Sequence, residues 1–197
     1  MFALLGKLAS SLRNDGAARA SRKVLAYCLR RAGLGTHPSE AIYLRQLELA
    51  KELDLTFGST VRYGPFAGLK LATESSWSNV DKGSKLLGLY EREVLDSLTS
   101  LPRTYRTFID LGAADGYYGI GVLIGRLFDK SYCFEMSEMG RASVSRNASL
   151  NHVSDRVIIR GKADRAFYNE VEPEDLKNSV LFIDIEGAEF ELLDHVT

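Results

Sequence analysis

The stretch Phe108-Ile109-Asp110-Leu111-Gly112-Ala113-Ala114-Asp115-Gly116 constrains the fold of this chain more than any other. An apolar run enters a turn bearing two glycines, and helical spacing begins behind it. That order is strand, tight turn, helix. The same alternation continues downstream. Strands are expected at 107–111, 131–135, 156–160 and 179–184. Helices are expected at 117–127, 138–150 and 187–194, with a fainter one near 165–177. Strands alternating with helices predict an α/β fold with a parallel sheet and helices on both faces.

The chain before residue 107 is less regular. Tyr43, Leu47 and Ala50 give an apolar stripe to a helix opening near Pro38. Residues 59–73 read as two short strands around the Gly64-Pro65 turn. Leu87, Tyr90, Val94 and Leu98 predict one helix over 84–99. Residues 1–35 form a basic leader with two helical wheels, one carrying Phe2, Leu5, Leu8 and Leu12, the other Val24, Cys28 and Ala32. Seven basic residues stand there against Asp15 alone, although the whole chain has a net charge of −1. The expected organisation is therefore a basic helical leader (1–35), a helical and hairpin lead-in (36–100) and an α/β core (101–197).

Charge and cysteines exclude several classes. A net charge of −1 over 197 residues argues against a nucleic-acid partner. The leader either lies on an anionic membrane surface or docks on the acidic body or a second subunit; both readings stay open. Cys28 and Cys133 form no CxxC spacing, no apolar run reaches the roughly 20 residues of a membrane span, and residues 1–12 make a poor signal peptide. These features predict a cytoplasmic chain with reduced thiols.

The turn after the first strand suggests a ligand. Gly112 and Gly116 permit a sharp bend, and the amides of the following helix N-terminus suit an anionic group. A dinucleotide fits poorly, because Ala114 stands where that fingerprint needs glycine and Asp110 would repel a pyrophosphate. S-adenosylmethionine fits better, since its ammonium and sulfonium favour nearby carboxylates. A merely structural tight turn remains the alternative. Glu135 ends the second strand, 19 residues after Gly116. An acid roughly 20 residues on binds ribose hydroxyls in nucleotide folds; the plainer reading is a strand-end carboxylate. Met136 either packs on an adenine or is an ordinary methionine. Asp164, with Ala163 beside it, either meets the adenine amino group or caps the next helix.

The fourth strand ends in Asp184, Glu186 and Glu189. Ligands of open α/β sheets sit beyond such strand ends. Methyl transfer needs the acceptor aligned with the methyl group and its proton removed. Asp184 and Glu186 are the candidate bases, with helix capping the alternative for Asp184 and a solvated face for Glu189. His37, His152 and His195 do not compete. Without a histidine beside the acids, no metal is expected.

At these residues the chain resembles the FkbM-type branch of the S-adenosylmethionine-dependent methyltransferases. The resemblance covers residues 60–194. It rests on Gly64-Pro65-Phe66 with Gly68, Gly88-Leu89-Tyr90-Glu91, the stretch from Phe108 to Tyr118, and Asp184-Ile185-Glu186-Gly187-Ala188-Glu189. It implies a Rossmann-like class I sheet and methyl transfer to a hydroxyl of a small molecule or sugar. Asp110, Gly112, Gly116, Glu135 and Asp164 match its cofactor contacts, and Ala113, Asp115, Tyr117, Tyr118, Met136 and Ala163 are expected beside them. Glu91 either faces the pocket or is an exposed helix acid. The family sheet has seven strands and only four are legible here, so the C-terminal strands are expected to be missing. A fragment, an edge covered by a partner or second copy, and a sheet completed otherwise all stay open. A non-catalytic module of the same fold is the competing reading, and a nicotinamide oxidoreductase is a more distant third.

Overall fold

The computed structural model describes residues 38–72, 80–185, 187 and 192. The basic leader expected at 1–35, the helix expected at 187–194 apart from Gly187 and Leu192, and the acids Glu186 and Glu189 lie outside the described residues. Contacts divide the chain into two compact units, Met1–Arg45 and Gln46–Thr197. Helix α1 (Pro38–Phe57) runs across that boundary. Of the expected stripe, Ala50 is buried and Leu47 half-buried in the second unit, whereas Tyr43, in the first, is exposed.

The second unit is built on four parallel strands: β1 (Thr107–Leu111), β2 (Lys130–Phe134), β3 (Val157–Arg160) and β4 (Ser179–Ile183). Their order is β3-β2-β1-β4. In register, Ile109 stands between Tyr132 and Leu181. Every residue of β1 is buried, as a strand flanked on both edges and covered on both faces requires. This is a Rossmann-like α/β arrangement.

Right-handed crossovers decide which face each helix covers. Helix α4 (Tyr117–Ile124) links β1 to β2, and helix α5 (Glu138–Leu150) links β2 to β3; the two contact each other as well as the sheet. Ser137 caps α5 by accepting the Gly140 N–H at 3.1 Å. The link from β3 to β4 holds a 3-10 turn (Phe167–Glu170) and a short helix, whose Pro173 opens it where a missing N–H does no harm. The helix expected near 165–177 is thus two pieces.

Period-two alternation sorts the side chains into two cores. Phe108, Cys133 and Val157 pack with α4, α5 and the lead-in residues Val61, Phe66, Leu69 and Leu95. Ile109, Leu111, Tyr132 and Phe134 face the other way, onto Val171, Phe167 and Ile183. Asp110 is the exception: a carboxylate inside the apolar run, 1% exposed.

The lead-in departs from expectation in two places. The hairpin over 59–73 reduces to one antiparallel bridge, Thr60 to Lys70. The single helix over 84–99 is two, α2 (Lys82–Leu86) and α3 (Arg92–Ser100). The break lies at Gly88 (φ +67°) and Glu91 (φ +43°). At Gly88 the backbone packs directly on Tyr63, so close that a Cβ would sit 2.0 Å from the Tyr63 carbonyl oxygen. Tyr90, in the interruption, still packs on the core that Val94 and Leu98 of α3 join, so periodicity alone conceals the break. Helix α4 ends at Ile124 rather than 127, since Gly125 abuts the Pro65 carbonyl and Arg126 turns to φ +55°. Among the described residues no helix is long and apolar enough to cross a membrane.

Candidate functional site

Strand order reverses at β1: the chain proceeds outward to β2 and β3, then returns to place β4 on the other side. At such a switch point the connections diverge and leave a crevice beyond the carboxyl ends of the strands. A cavity of about 1050 Å³ lies there. Its wall is drawn from the β1–α4 turn, the end of β2, the loop at 162–166, the end of β4, and the lead-in residues Lys85, Tyr90 and Glu91.

Gly112 makes the closure of this wall possible. Its φ is +97°, and a Cβ there would lie 2.0 Å from the Asp184 carbonyl oxygen. The Asp184 N–H donates to the Leu111 carbonyl at 3.0 Å, and the Gly112 N–H to Phe134 at 2.9 Å. The turn is thus stitched to both neighbours. Ala114 holds a left-handed φ of +49°, an unfavourable setting for a residue with a Cβ.

The helix N-terminus behind the turn is not the open anion site the sequence suggests. Asp115 Oδ1 accepts the Tyr117 N–H at 3.1 Å, and Asp110 Oδ2 accepts the Gly119 N–H at 3.1 Å. Two carboxylates of the chain itself occupy the positive end of α4. Gly116 (φ +80°) is not part of the cavity wall; the position of its missing Cβ faces Ile120 and Val144.

Asp110 is the most perturbed acid of the wall. Its Oδ1 is buried and has no hydrogen-bond partner among the described residues. Burial pushes its pKa from 3.8 up to about 8, assisted by Asp184, Asp115 and Glu135 and opposed by the Gly119 amide.

Glu135 is 7% exposed and joins two turns. Its Oε2 accepts the Ala114 N–H at 2.9 Å and its Oε1 the Ser137 N–H at 2.7 Å. Each oxygen keeps a second lone pair for a hydroxyl donor. Gly140 makes room for it, since a Cβ there would be 2.6 Å from Glu135 Cγ. Met136, by contrast, is 72% exposed at the rim.

Asp164 is exposed and lines the cavity, and its Oδ1 also accepts the Ala166 N–H at 2.7 Å, so it caps the turn while facing the pocket. Ala163, half-buried beside it, packs against the core. Asp184 is exposed at the end of β4, in the wall. The cavity thus brings together Asp110, Gly112, Ala113, Asp115, Tyr117 and Tyr118 from one turn with Glu135, Met136, Ala163, Asp164 and Asp184 from three others.

Lys85 in the wall and Asn147 outside it carried no readable signal, whereas Glu91 was open between the pocket and an exposed helix face. Lys85 is 8% exposed, and its Nζ lies 2.8 Å from Asp115 Oδ2. The same ammonium stands 5.2 Å from the ring centroids of both Tyr90 and Tyr117. In sequence it is an ordinary helical lysine; the only hint was Lys82 three residues earlier, which is also buried and ion-paired, to Asp54 at 2.9 Å. Asn147 is 3% exposed, accepts the Ala72 N–H and donates to the Asp115 carbonyl, tying the lead-in to the site turn. Glu91 faces the pocket and accepts the Tyr118 hydroxyl at 2.6 Å. Tyr118 in turn packs on Phe182, with ring centroids 4.7 Å apart.

Among the described residues no three His, Cys, Asp or Glu side chains are grouped to hold a metal ion. No family model matches the chain, and neither a curated protein nor a solved structure matches it.

Proposed function

We propose that this chain carries the S-adenosylmethionine-binding core of an FkbM-type class I methyltransferase, acting on a hydroxyl of a small molecule or sugar. One observation carries the reading: a buried carboxylate, Asp110, whose Oδ1 is unpartnered in the wall of a strand-end cavity. A cationic cofactor would favour the ionised carboxylate that burial disfavours, whereas a pyrophosphate would disfavour it further. The residues fit such a group. Glu135 has lone pairs left for two ribose hydroxyls, Met136 and Asp164 stand at the rim for the base, and Asp110 serves the cationic end.

S-adenosylmethionine, when bound, supplies an electrophilic methyl group. The chain's own part is to orient the acceptor and remove its proton. Asp184 is the candidate base among the described residues, with Glu186 as the second. The packed rings of Tyr118 and Phe182 give the cavity wall an apolar surface.

Calorimetric titration with S-adenosylmethionine and S-adenosylhomocysteine tests the reading, with Glu135→Gln as comparison and circular dichroism to verify folding. Saturable binding weakened by the substitution is the expected result. A folded chain that binds neither compound would overturn it. Binding without transfer to any hydroxyl acceptor would leave a ligand-binding module of the same fold.

A further inference from the structure

An amino-acid cofactor must have its carboxylate seated, and two of the first three amides of α4, those of Tyr117 and Gly119, already donate to Asp115 and Asp110. A further acceptor at that helix end would compete with both carboxyl groups for the same donors. On the other side of Asp115 the same wall holds a cation paired with it. Lys85 Nζ is buried, and Asp115 Oδ2 engages only one of its three N–H donors. The rings of Tyr90 and Tyr117 flank it and keep the charge desolvated. Tyr117 is 2% exposed and lines the cavity, and its hydroxyl is buried with no partner among the described residues. A buried hydroxyl in that state lacks an acceptor that the protein does not provide.

Building on the cofactor reading above, we infer that Lys85 Nζ and Tyr117 Oη together seat the α-carboxylate of the cofactor's amino-acid end. The ion pair with Asp115 holds the ammonium in place, and the phenol donates a second, directional hydrogen bond. Asp110 Oδ1, also buried without a partner among the described residues, belongs to a residue of the same cavity wall and, once ionised, suits the ammonium borne on the same carbon. One orphaned hydroxyl beside a cation and one orphaned carboxylate oxygen are the complement of a zwitterion. A phosphate would leave the second unsatisfied.

The test compares two ligands on the full chain by calorimetry. S-adenosylhomocysteine carries the amino-acid end; methylthioadenosine has the same nucleoside thioether without it. The wild type should prefer S-adenosylhomocysteine. Tyr117→Phe and Lys85→Met should each weaken that ligand by roughly ten- to a hundredfold, while leaving methylthioadenosine within about twofold. Tyr117→Phe deletes one oxygen that has no partner among the described residues, so it preserves the fold and keeps the test decisive where Lys85→Met does not fold. If both ligands bind the wild type and Tyr117→Phe keeps its full preference, the carboxylate sits elsewhere and the inference fails while the cofactor reading stands. If the wild type binds neither ligand, both fall, and the wild type alone reveals it.

Discussion

Replacing Asp110 with asparagine should stabilise the unliganded chain at neutral pH, and the size of the effect follows from its burial. Asp110 is 1% exposed, with one hydrogen bond from the Gly119 amide and one bare oxygen. Its carboxyl is held up at about 8, against 3.8 for the free group. A pKa raised by folding contributes stability that is complete below the unfolded value and is lost as pH rises through the folded one. At pH 7 the unfolded chain has released this proton and the folded chain has kept it. The interval from 3.8 to 7 is about 3 units, at about 1.4 kcal/mol each, giving a ceiling of roughly 4 kcal/mol. Relaxation and water entry lower such penalties, so about 2 kcal/mol is the working expectation. Asparagine keeps an oxygen for the Gly119 amide and never ionises. Urea unfolding of both proteins at pH 4, 6 and 8 measures the effect. The difference should be near zero at pH 4 and should grow with pH. A difference independent of pH, or a variant less stable at pH 8, would refute the argument.

On the proposed function, the same carboxyl should make binding of S-adenosylmethionine pH-dependent. A cationic ligand favours the ionised form, so binding at pH 7 should release a proton and tighten as pH rises towards 8. Calorimetry in buffers of different ionisation heat reads this directly, and a buffer-independent enthalpy would contradict it. Gly112→Ala drives a Cβ to 2.0 Å from the Asp184 carbonyl at a φ of +97°, and should cost about 3 kcal/mol or more, seen as a fall in Tm of roughly 6–12 °C. Asn147→Ala strips partners from the Ala72 amide and the Asp115 carbonyl and should cost about 2–4 kcal/mol in chemical denaturation; a loss below about 1 kcal/mol would mean water replaces it.

What could be read in the sequence is what local periodicity encodes. The strand–turn–helix around Gly112, the three strands that follow and the helix capped by Ser137 stand within a residue or so of expectation, except where Gly125 and Pro173 cut helices short. The acids at the strand ends were legible because side-chain register follows from strand register. Residues brought in over long separations were not. Lys85 meets Asp115, and Asn147 meets Ala72, only once the lead-in has folded against the sheet. Capping chemistry was misjudged for a related reason. The Tyr117 and Gly119 amides of α4 look vacant until the Asp115 and Asp110 side chains are placed, and those side chains fill them.

The register of the sheet has a kinetic consequence. Thr107 pairs with Lys130 on one side but with Ser179 on the other. The first pairing closes a short loop, while the second must bring together segments far apart in the chain, and long-range pairing is slow. The β1–β2 half, with α4 and α5, can therefore condense early, including the Glu135 bridge to Ala114. The wall at Asp184 waits for β4. Binding competence should thus lag behind helix formation during refolding, arriving with the pairing that lays the Asp184 carbonyl against Gly112.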